Sequence, residues 1–426
     1  MSTQKSQYLV HSNGIFHGLP VFADTLQGLT AIVTGANGIS GTYMIRALCE
    51  NPKRWTKIYA LSRREPWHQY PPQVEHVSMD LLQSPSTISQ QLLEKNIKAD
   101  HVFFFAYIQP TPEAGGTIWS AADEMVRVNK SLLGNFLQGL AGAAAIPQRI
   151  TLQLGSKYYG LHLGPAAVPQ EESAPRADME ANFYYEQEDL VKDFCDKNSC
   201  QFITTRPSYL LGAVPDAAMN LAYPLMVYAI VQKHFGRSLI FPGDLACWEN
   251  LFSFSSAMMN AYFTEWLALT DVENGESFNS IDDSPFTWSM FWPKYAAYFN
   301  MPWQGPEQCT DEEDYMEMSL PYSPPPRGWG PPGKRRFCYT MVAWAQRPIV
   351  QATWREIAVK HGLRNPDLGD IDRMFGFADA AVLTAWPCVL SNTKIREAGF
   401  FGSVDSTQSI LKIFDEYIEI KMAPRV

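Results

Sequence analysis

The sequence predicts an α/β fold, a doubly wound parallel sheet followed by a smaller, mainly helical region. Three observations predict it. Strand-like apolar runs alternate with helical periodicity through the first half of the chain. The first of these runs, Leu29–Thr34, stops at three glycines spaced three apart, Gly35, Gly38 and Gly41. After Arg206 the texture changes to apolar helical stretches rich in Met, Tyr and Trp.

Residues 1–28 read as an N-terminal arm. Leu29–Thr34 is the first strand, and a helix is expected over Thr42–Cys49. Between them Gly35 allows a tight turn, Gly38 lets the backbone approach a pyrophosphate, and Gly41 lets helix pack on strand. The helix N-terminus adds free N–H groups and the positive end of a dipole. This is the layout of a Rossmann-type dinucleotide turn, and Asn37 and Ile39 lie inside it.

The second strand, Lys57–Leu61, ends in Ser62-Arg63-Arg64. An NAD-selective site places a carboxylate near here for the ribose 2′-OH. Two guanidiniums suit a 2′-phosphate instead, through planar charge-assisted forks. The expected cofactor is therefore NADPH/NADP+. Val74–Asp80 fits a third strand; Asp80, beside Leu81, either contacts the adenine or caps a helix. His101–Tyr107 is a near-continuous apolar run, as a central parallel strand should be. Its end brings Ala106 and Tyr107 to the ligand crevice. A helix over Asp123–Leu140, a strand over Arg149–Leu154, a helix over Tyr185–Lys197 and a strand over Gln201–Arg206 complete the alternation.

Beyond it, Met219–Lys233, Met258–Leu269 and Trp288–Tyr298 have helical spacing. Pro321, Pro324, Pro325, Pro326, Pro331 and Pro332 forbid helix in 302–336, behind the acidic run Asp311–Asp314. That stretch reads as a long surface excursion. Helical periodicity returns over Val350–His361 and continues to the C-terminus. The expected division is a cofactor domain over 29–210, with a returning segment at roughly 240–285, and a substrate-binding cap over 211–240 and 286–426.

With 426 residues, 46% hydrophobic and 18% charged, the chain is globular. Its net charge of −10 argues against generic nucleic-acid or anionic-membrane binding. The seven cysteines are scattered, without C-x-x-C spacing or histidines at metal spacing. A reduced compartment and no metal follow. Met1–Ser12 is polar and no apolar run reaches membrane-spanning length, so a cytoplasmic protein is expected.

Two clusters carry chemistry: Leu154-Gly155-Ser156-Lys157-Tyr158-Tyr159-Gly160 and Asn182-Phe183-Tyr184-Tyr185-Glu186-Gln187-Glu188-Asp189. A nicotinamide-dependent reductase needs a proton donor or electrophile for a developing oxyanion, and a phenol near a lysine meets that need. The usual Tyr-x-x-x-Lys pattern on one helix is absent, because Glu188 and Asp189 follow Tyr184 and Tyr185 at that spacing.

Taken in order, the segments Ser62-Arg63-Arg64, His101-Val102-Phe103-Phe104, Leu152-Gln153-Leu154-Gly155-Ser156-Lys157 and Asn182-Phe183-Tyr184-Tyr185 have a family counterpart. So do Arg206-Pro207-Ser208, Met219-Asn220-Leu221, Phe241-Pro242-Gly243 and Phe278-Asn279. The chain resembles the progesterone 5β-reductase/iridoid synthase-like (PRISE) group of atypical extended short-chain dehydrogenases from about residue 29 onward. The resemblance implies catalytic roles for Lys157 and Tyr184, drawn from separate elements. It implies a cofactor set of Gly35, Asn37, Gly38, Ile39, Gly41, Ser62, Arg63, Arg64, Asp80, Leu81, Ala106, Pro207 and Ser208, with Lys157 and Tyr184 at the nicotinamide end. It further implies conjugate hydride transfer to a small hydrophobic carbonyl compound of secondary metabolism. Tyr184 would stabilise the enolate and Lys157 would tune it. Leu154, Tyr158 and Tyr107 stand where the family has Thr, His and Trp, and Tyr107 and Tyr158 are the candidate substrate-wall residues. An NADPH-dependent carbonyl reductase or alcohol dehydrogenase, and a non-catalytic NADP-sensing module, remain open at this point. So does a homodimer.

Overall fold

The computed structural model describes residues 8–111, 119–306 and 315–425. The N-terminal arm is not featureless. Strands β1 (Val10–Asn13) and β2 (Phe16–Pro20) form an antiparallel hairpin. His17 and Ser403 exchange backbone hydrogen bonds of 2.9 Å, which tie it to the C-terminal region.

The alternation then follows: β3 (Leu29–Thr34), α1 (Ile39–Cys49), β4 (Trp55–Ser62), β5 (Val74–Ser78), α2 (Pro85–Glu94) and β6 (His101–Phe104). Next come α3 (Ala122–Gly142), β7 (Arg149–Gln153), α4 (Phe183–Asn198) and β8 (Gln201–Pro207). Ala31, Ile32, Val33, Val102, Phe103 and Phe104 are almost wholly buried, which is why these runs read as continuous hydrophobics. The strand expected to reach Tyr107 stops at Phe104. The Phe105 and Ala106 N–H groups donate to Thr34 Oγ1 (3.0 and 3.2 Å) and so leave the ladder.

Short strands β9 (Tyr209–Leu211), β10 (Leu239–Phe241) and β11 (Phe254–Ser256) interleave with α5 (Ala222–His234) and α6 (Ala257–Leu269). Strand β12 (Ser277–Ser280) then returns to the sheet. The parallel order is β12-β8-β7-β6-β3-β4-β5, with the topological switch between β3 and β6. Helices α2, α3 and α4 pack as one layer, and α1 packs on α6 in the other.

Helix α7 (Trp288–Tyr298) occupies the residues expected for it. The Pro-rich stretch is more ordered than a surface excursion: β13 (Trp303–Pro306) pairs with β10, and β14 (Met316–Ser319) pairs with β15 (Lys334–Phe337). The acidic run Asp311–Asp314 lies outside the described residues. Helices α8 (Met341–Ala345), α9 (Pro348–His361), α10 (Ile371–Val382), α11 (Thr393–Glu397) and α12 (Ser406–Glu419) complete the chain. Among the described residues no helix is long and apolar enough to cross a membrane. Cysteines 49, 195, 200, 247 and 388 are free thiols, whereas Cys338 is disulfide-bonded, which departs from the expected all-thiol chain.

Candidate active site

The glycine turn sits at the switch point. Gly35 has φ +65°, and a Cβ there would stand 2.8 Å from the Phe105 carbonyl oxygen. A Cβ on Gly41 would lie 2.4 Å from the Gly35 carbonyl oxygen, so only glycine lets α1 start against the turn. Asn37 Nδ2 donates to the carbonyls of Arg64 (2.9 Å) and Glu65 (3.1 Å), and Ser62 Oγ donates to the Arg64 carbonyl (2.7 Å). These bonds fix the backbone beneath two exposed guanidiniums. Arg64 pairs with Asp216 (2.8 Å), and Asp216 pairs in turn with Arg373 on α10 (2.5 Å).

A cavity of about 440 Å³ opens at the C-terminal edge of the sheet. That volume is within the range of small-molecule and cofactor sites. Every residue expected to hold the cofactor borders it, from Gly35 through Arg64, Asp80 and Leu81 to Pro207 and Ser208; so do Tyr107, Lys157 and Tyr184. Asp80 borders the cavity, and its Oδ1 accepts from the Leu82 N–H (3.0 Å) in a local turn; it caps no helix, because Ser84 is the N-cap of α2.

Lys157 and Tyr184 reach this cavity from two elements. Lys157 lies on the 3₁₀ turn Ser156–Tyr159 after β7, and Tyr184 in the first turn of α4. Asn182 links them. Its Oδ1 accepts from the Tyr184 N–H (3.1 Å) as the helix cap, and its Nδ2 donates to the Lys157 carbonyl (3.3 Å). The Tyr184 hydroxyl stands at the mouth of β7. A Cβ added to Gly155 would come within 2.8 Å of it, and the Pro207 carbonyl is close by. Gly155→Ala is therefore expected to displace the phenol while the sheet still forms. Steady-state kinetics and circular dichroism check this; a variant with full turnover would remove Gly155 as the residue that makes room for Tyr184.

At the position where a one-helix motif carries lysine, Glu188 faces elsewhere, pairing with Arg176 (2.7 Å) and Arg206 (3.3 Å). Tyr158 belongs to that structural group. Its hydroxyl donates to Glu188 (3.1 Å), its ring lies 3.4 Å under the Arg206 guanidinium, and it does not border the cavity. The expectation that Tyr158 lines the substrate site is thus corrected: consecutive side chains on the 3₁₀ turn diverge, so Lys157 enters the cavity and Tyr158 packs behind it. Tyr107 borders the cavity, and its hydroxyl donates to Gln109.

Burial raises the Tyr184 phenol well above 10, and no cation offsets it. The Lys157 ammonium lies 5.8 Å over the Trp119 ring; burial pushes it down to about 8, with Glu180 acting in the opposite direction. A neutral phenol remains a hydrogen-bond donor throughout the physiological range.

The sequence reading missed Trp119, His162, Tyr209, Arg335, Arg373 and Phe377, all of which border the cavity. Arg335 arrives on β15, because Pro325 and Pro326 pack against Gly164 and Gly160 and Arg327 N donates to the Pro165 carbonyl (3.0 Å). The Pro-rich stretch thus returns to the site. Among the described residues no group of three or more His, Cys, Asp or Glu side chains is placed to hold a metal.

Known proteins are similar to this chain over most of its length. The chain is 27% identical to a 3-oxo-Δ4,5-steroid 5β-reductase of Arabidopsis thaliana, covering 92% of this chain and 93% of the relative. It is 26% identical to an (S)-8-oxocitronellyl enol synthase of Nepeta racemosa, with 92% and 93% covered. It is also 26% identical to the short chain dehydrogenase gsfE of Penicillium aethiopicum, with 93% and 99% covered. Among solved structures, an epimerase of Methanothermobacter thermautotrophicus superposes with a TM-score of 0.51 at 14% identity, covering 66% of this chain and 82% of that one; this likeness concerns the fold. The PRISE-like Rossmann-fold domain matches residues 31–318, from the first sheet strand to β14. With the glycine turn, the sheet and the lysine and tyrosine segments all inside that match, the chain belongs to the PRISE-like Rossmann-fold family.

Proposed function

We propose that this oxidoreductase reduces a small hydrophobic α,β-unsaturated carbonyl compound with NADPH, by hydride transfer to the β-carbon. The observation that carries the reading is one cavity with Arg63 and Arg64 at one side and Lys157 and Tyr184 bordering it. NADPH supplies the hydride. The turn residues from Gly35 to Gly41 and the N-terminus of α1 take the pyrophosphate, where the three glycines let the backbone approach and the helix N-terminus supplies N–H donors and the positive end of its dipole. Arg63 and Arg64 take the 2′-phosphate, Asp80 and Leu81 border the adenine, and Lys157 holds the nicotinamide ribose. Tyr184 donates to the substrate carbonyl oxygen and strengthens that bond as enolate charge develops, which is stabilisation realised mainly in the transition state. We read 29–210, with β12 and α6 returning to it, as the cofactor unit, and 211–240 with 286–426 as the cap. The 5β-reductase and enol synthase names of the relatives support a reductase of unsaturated carbonyls.

Cofactor selectivity tests the first half of this reading. NADPH should bind at least about 10-fold tighter than NADH, since one charged hydrogen-bonded contact contributes roughly 1.5–3 kcal/mol. The double variant Arg63→Ala, Arg64→Ala should lose most of that gap. Equal affinities in the unaltered protein, measured by fluorescence titration, would contradict the assignment.

A further inference from the structure

The cavity holds more positive charge than a purely hydrophobic carbonyl compound needs. Arg335 is 7% exposed and borders the cavity. Its guanidinium lies 5.3 Å over the Trp386 ring, and among the described residues no carboxylate hydrogen-bonds to it. Its Nε is buried without a hydrogen-bond partner. Asp244 is the carboxylate that acts on it electrostatically, but the Asp244 oxygens are taken by the N–H groups of Ala246 (2.7 Å), Cys247 (3.1 Å) and Arg336. A buried guanidinium without an ion partner is costly, and such charges are normally paired.

A second side chain points the same way. Both ring nitrogens of His162 are buried and unpartnered, and His162 borders the same cavity. Its ring packs 5.7 Å from Trp119, the ring that also carries the Lys157 ammonium. Burial, with Lys157 and Arg335 adding to it, pushes the His162 imidazole well below its ordinary value. A neutral imidazole still offers one N–H donor. Tyr209, Phe377 and Leu161 add aromatic and apolar surface to the same cavity.

We propose that the substrate is an amphiphile, an unsaturated carbonyl compound whose far end is a carboxylate, and that Arg335 and His162 seat that carboxylate. The proposal rests on the reductase reading for the other end of the molecule. Arg335 supplies the planar fork that matches a carboxylate, and His162 supplies a further donor. Lys157 adds long-range attraction while remaining at the reacting end. The seat fixes the distance between the anionic terminus and the carbon that receives hydride, so the enzyme selects by chain length as well as by charge.

The test uses the full-length protein and a set of methyl ketone enones, CH₃COCH=CH(CH₂)ₙCO₂⁻ with one to four methylenes, beside their methyl esters and the saturated keto acids and keto esters. Calorimetry on the NADP⁺ complex reads binding of the saturated pairs without turnover. The best keto acid should bind about 10-fold or more tighter than its ester, the scale of one or two charge-assisted hydrogen bonds. In Arg335→Met that ratio should fall to about 1, and in Arg335→Lys it should be partly kept. The ratio is taken within one protein sample, so a partly unfolded variant does not distort it. Equal binding of acid and ester by the unaltered protein, or an unchanged ratio in Arg335→Met, overturns the carboxylate seat. NADPH oxidation with the enones reads the other half separately. A charge preference in binding with no enone reduced keeps the seat and removes the reductase reading; acid and ester reduced with equal efficiency does the reverse.

Discussion

Replacing Tyr184 with Phe is expected to lower turnover by roughly 10²–10³-fold, the scale of losing one oxyanion donor. NADPH affinity should stay near that of the unaltered protein. The substitution removes one hydroxyl from a ring that packs 4.5 Å from Phe183, so the helix that carries it should not move. Since burial keeps the phenol neutral well beyond pH 10, the group acts as a donor throughout the working range and should contribute no limb to the pH–rate profile. Titration with NADPH and stopped-flow reduction of an enone separate binding from chemistry. Turnover equal to that of the unaltered protein would take Tyr184 out of the mechanism.

Lys157→Met should have the second large effect: weaker NADPH binding together with a strong loss of turnover. Its pH behaviour carries a definite sign. Burial lowers the Lys157 pKa to about 8, so the ammonium is present below that pH and lost above it. NADPH affinity should therefore fall as pH rises through about 8, and the methionine variant should show a flat profile there. A variant that retains the basic limb would assign it to another group. A non-catalytic NADP-sensing module would show the binding loss with no reductase activity in any form of the protein.

Much of the parallel sheet was legible because its central strands are buried on both faces and need continuous apolar runs. Helix α7 was legible because Trp288, Phe291, Trp292 and Tyr295 repeat at helical spacing and are all buried. The end of β6 was not, because Thr34 takes the next two N–H groups through its side chain, a tertiary contact that no strand pattern contains. The N-terminal hairpin was missed because β1 is exposed along its length and shows no alternation. The lysine and tyrosine segments were legible only as short motifs matched in order. Their meeting depends on Asn182, whose side chain ties the two elements. Tyr158 was misplaced because neighbouring positions on a 3₁₀ turn face different directions. Arg335 and His162 carried no sequence signal at all: one lies in a Pro-rich stretch and the other after the lysine turn, and only the folded chain sets both against the same cavity.

The central claim is conjugate reduction, and the site of hydride delivery tests it most directly. NADPH deuterated at the transferred position, incubated with the enzyme and an enone, should give a saturated ketone with deuterium on the carbon β to the carbonyl. Deuterium on the carbinol carbon of an allylic alcohol would contradict the account and make the protein a carbonyl reductase working through the same Tyr184 and Lys157.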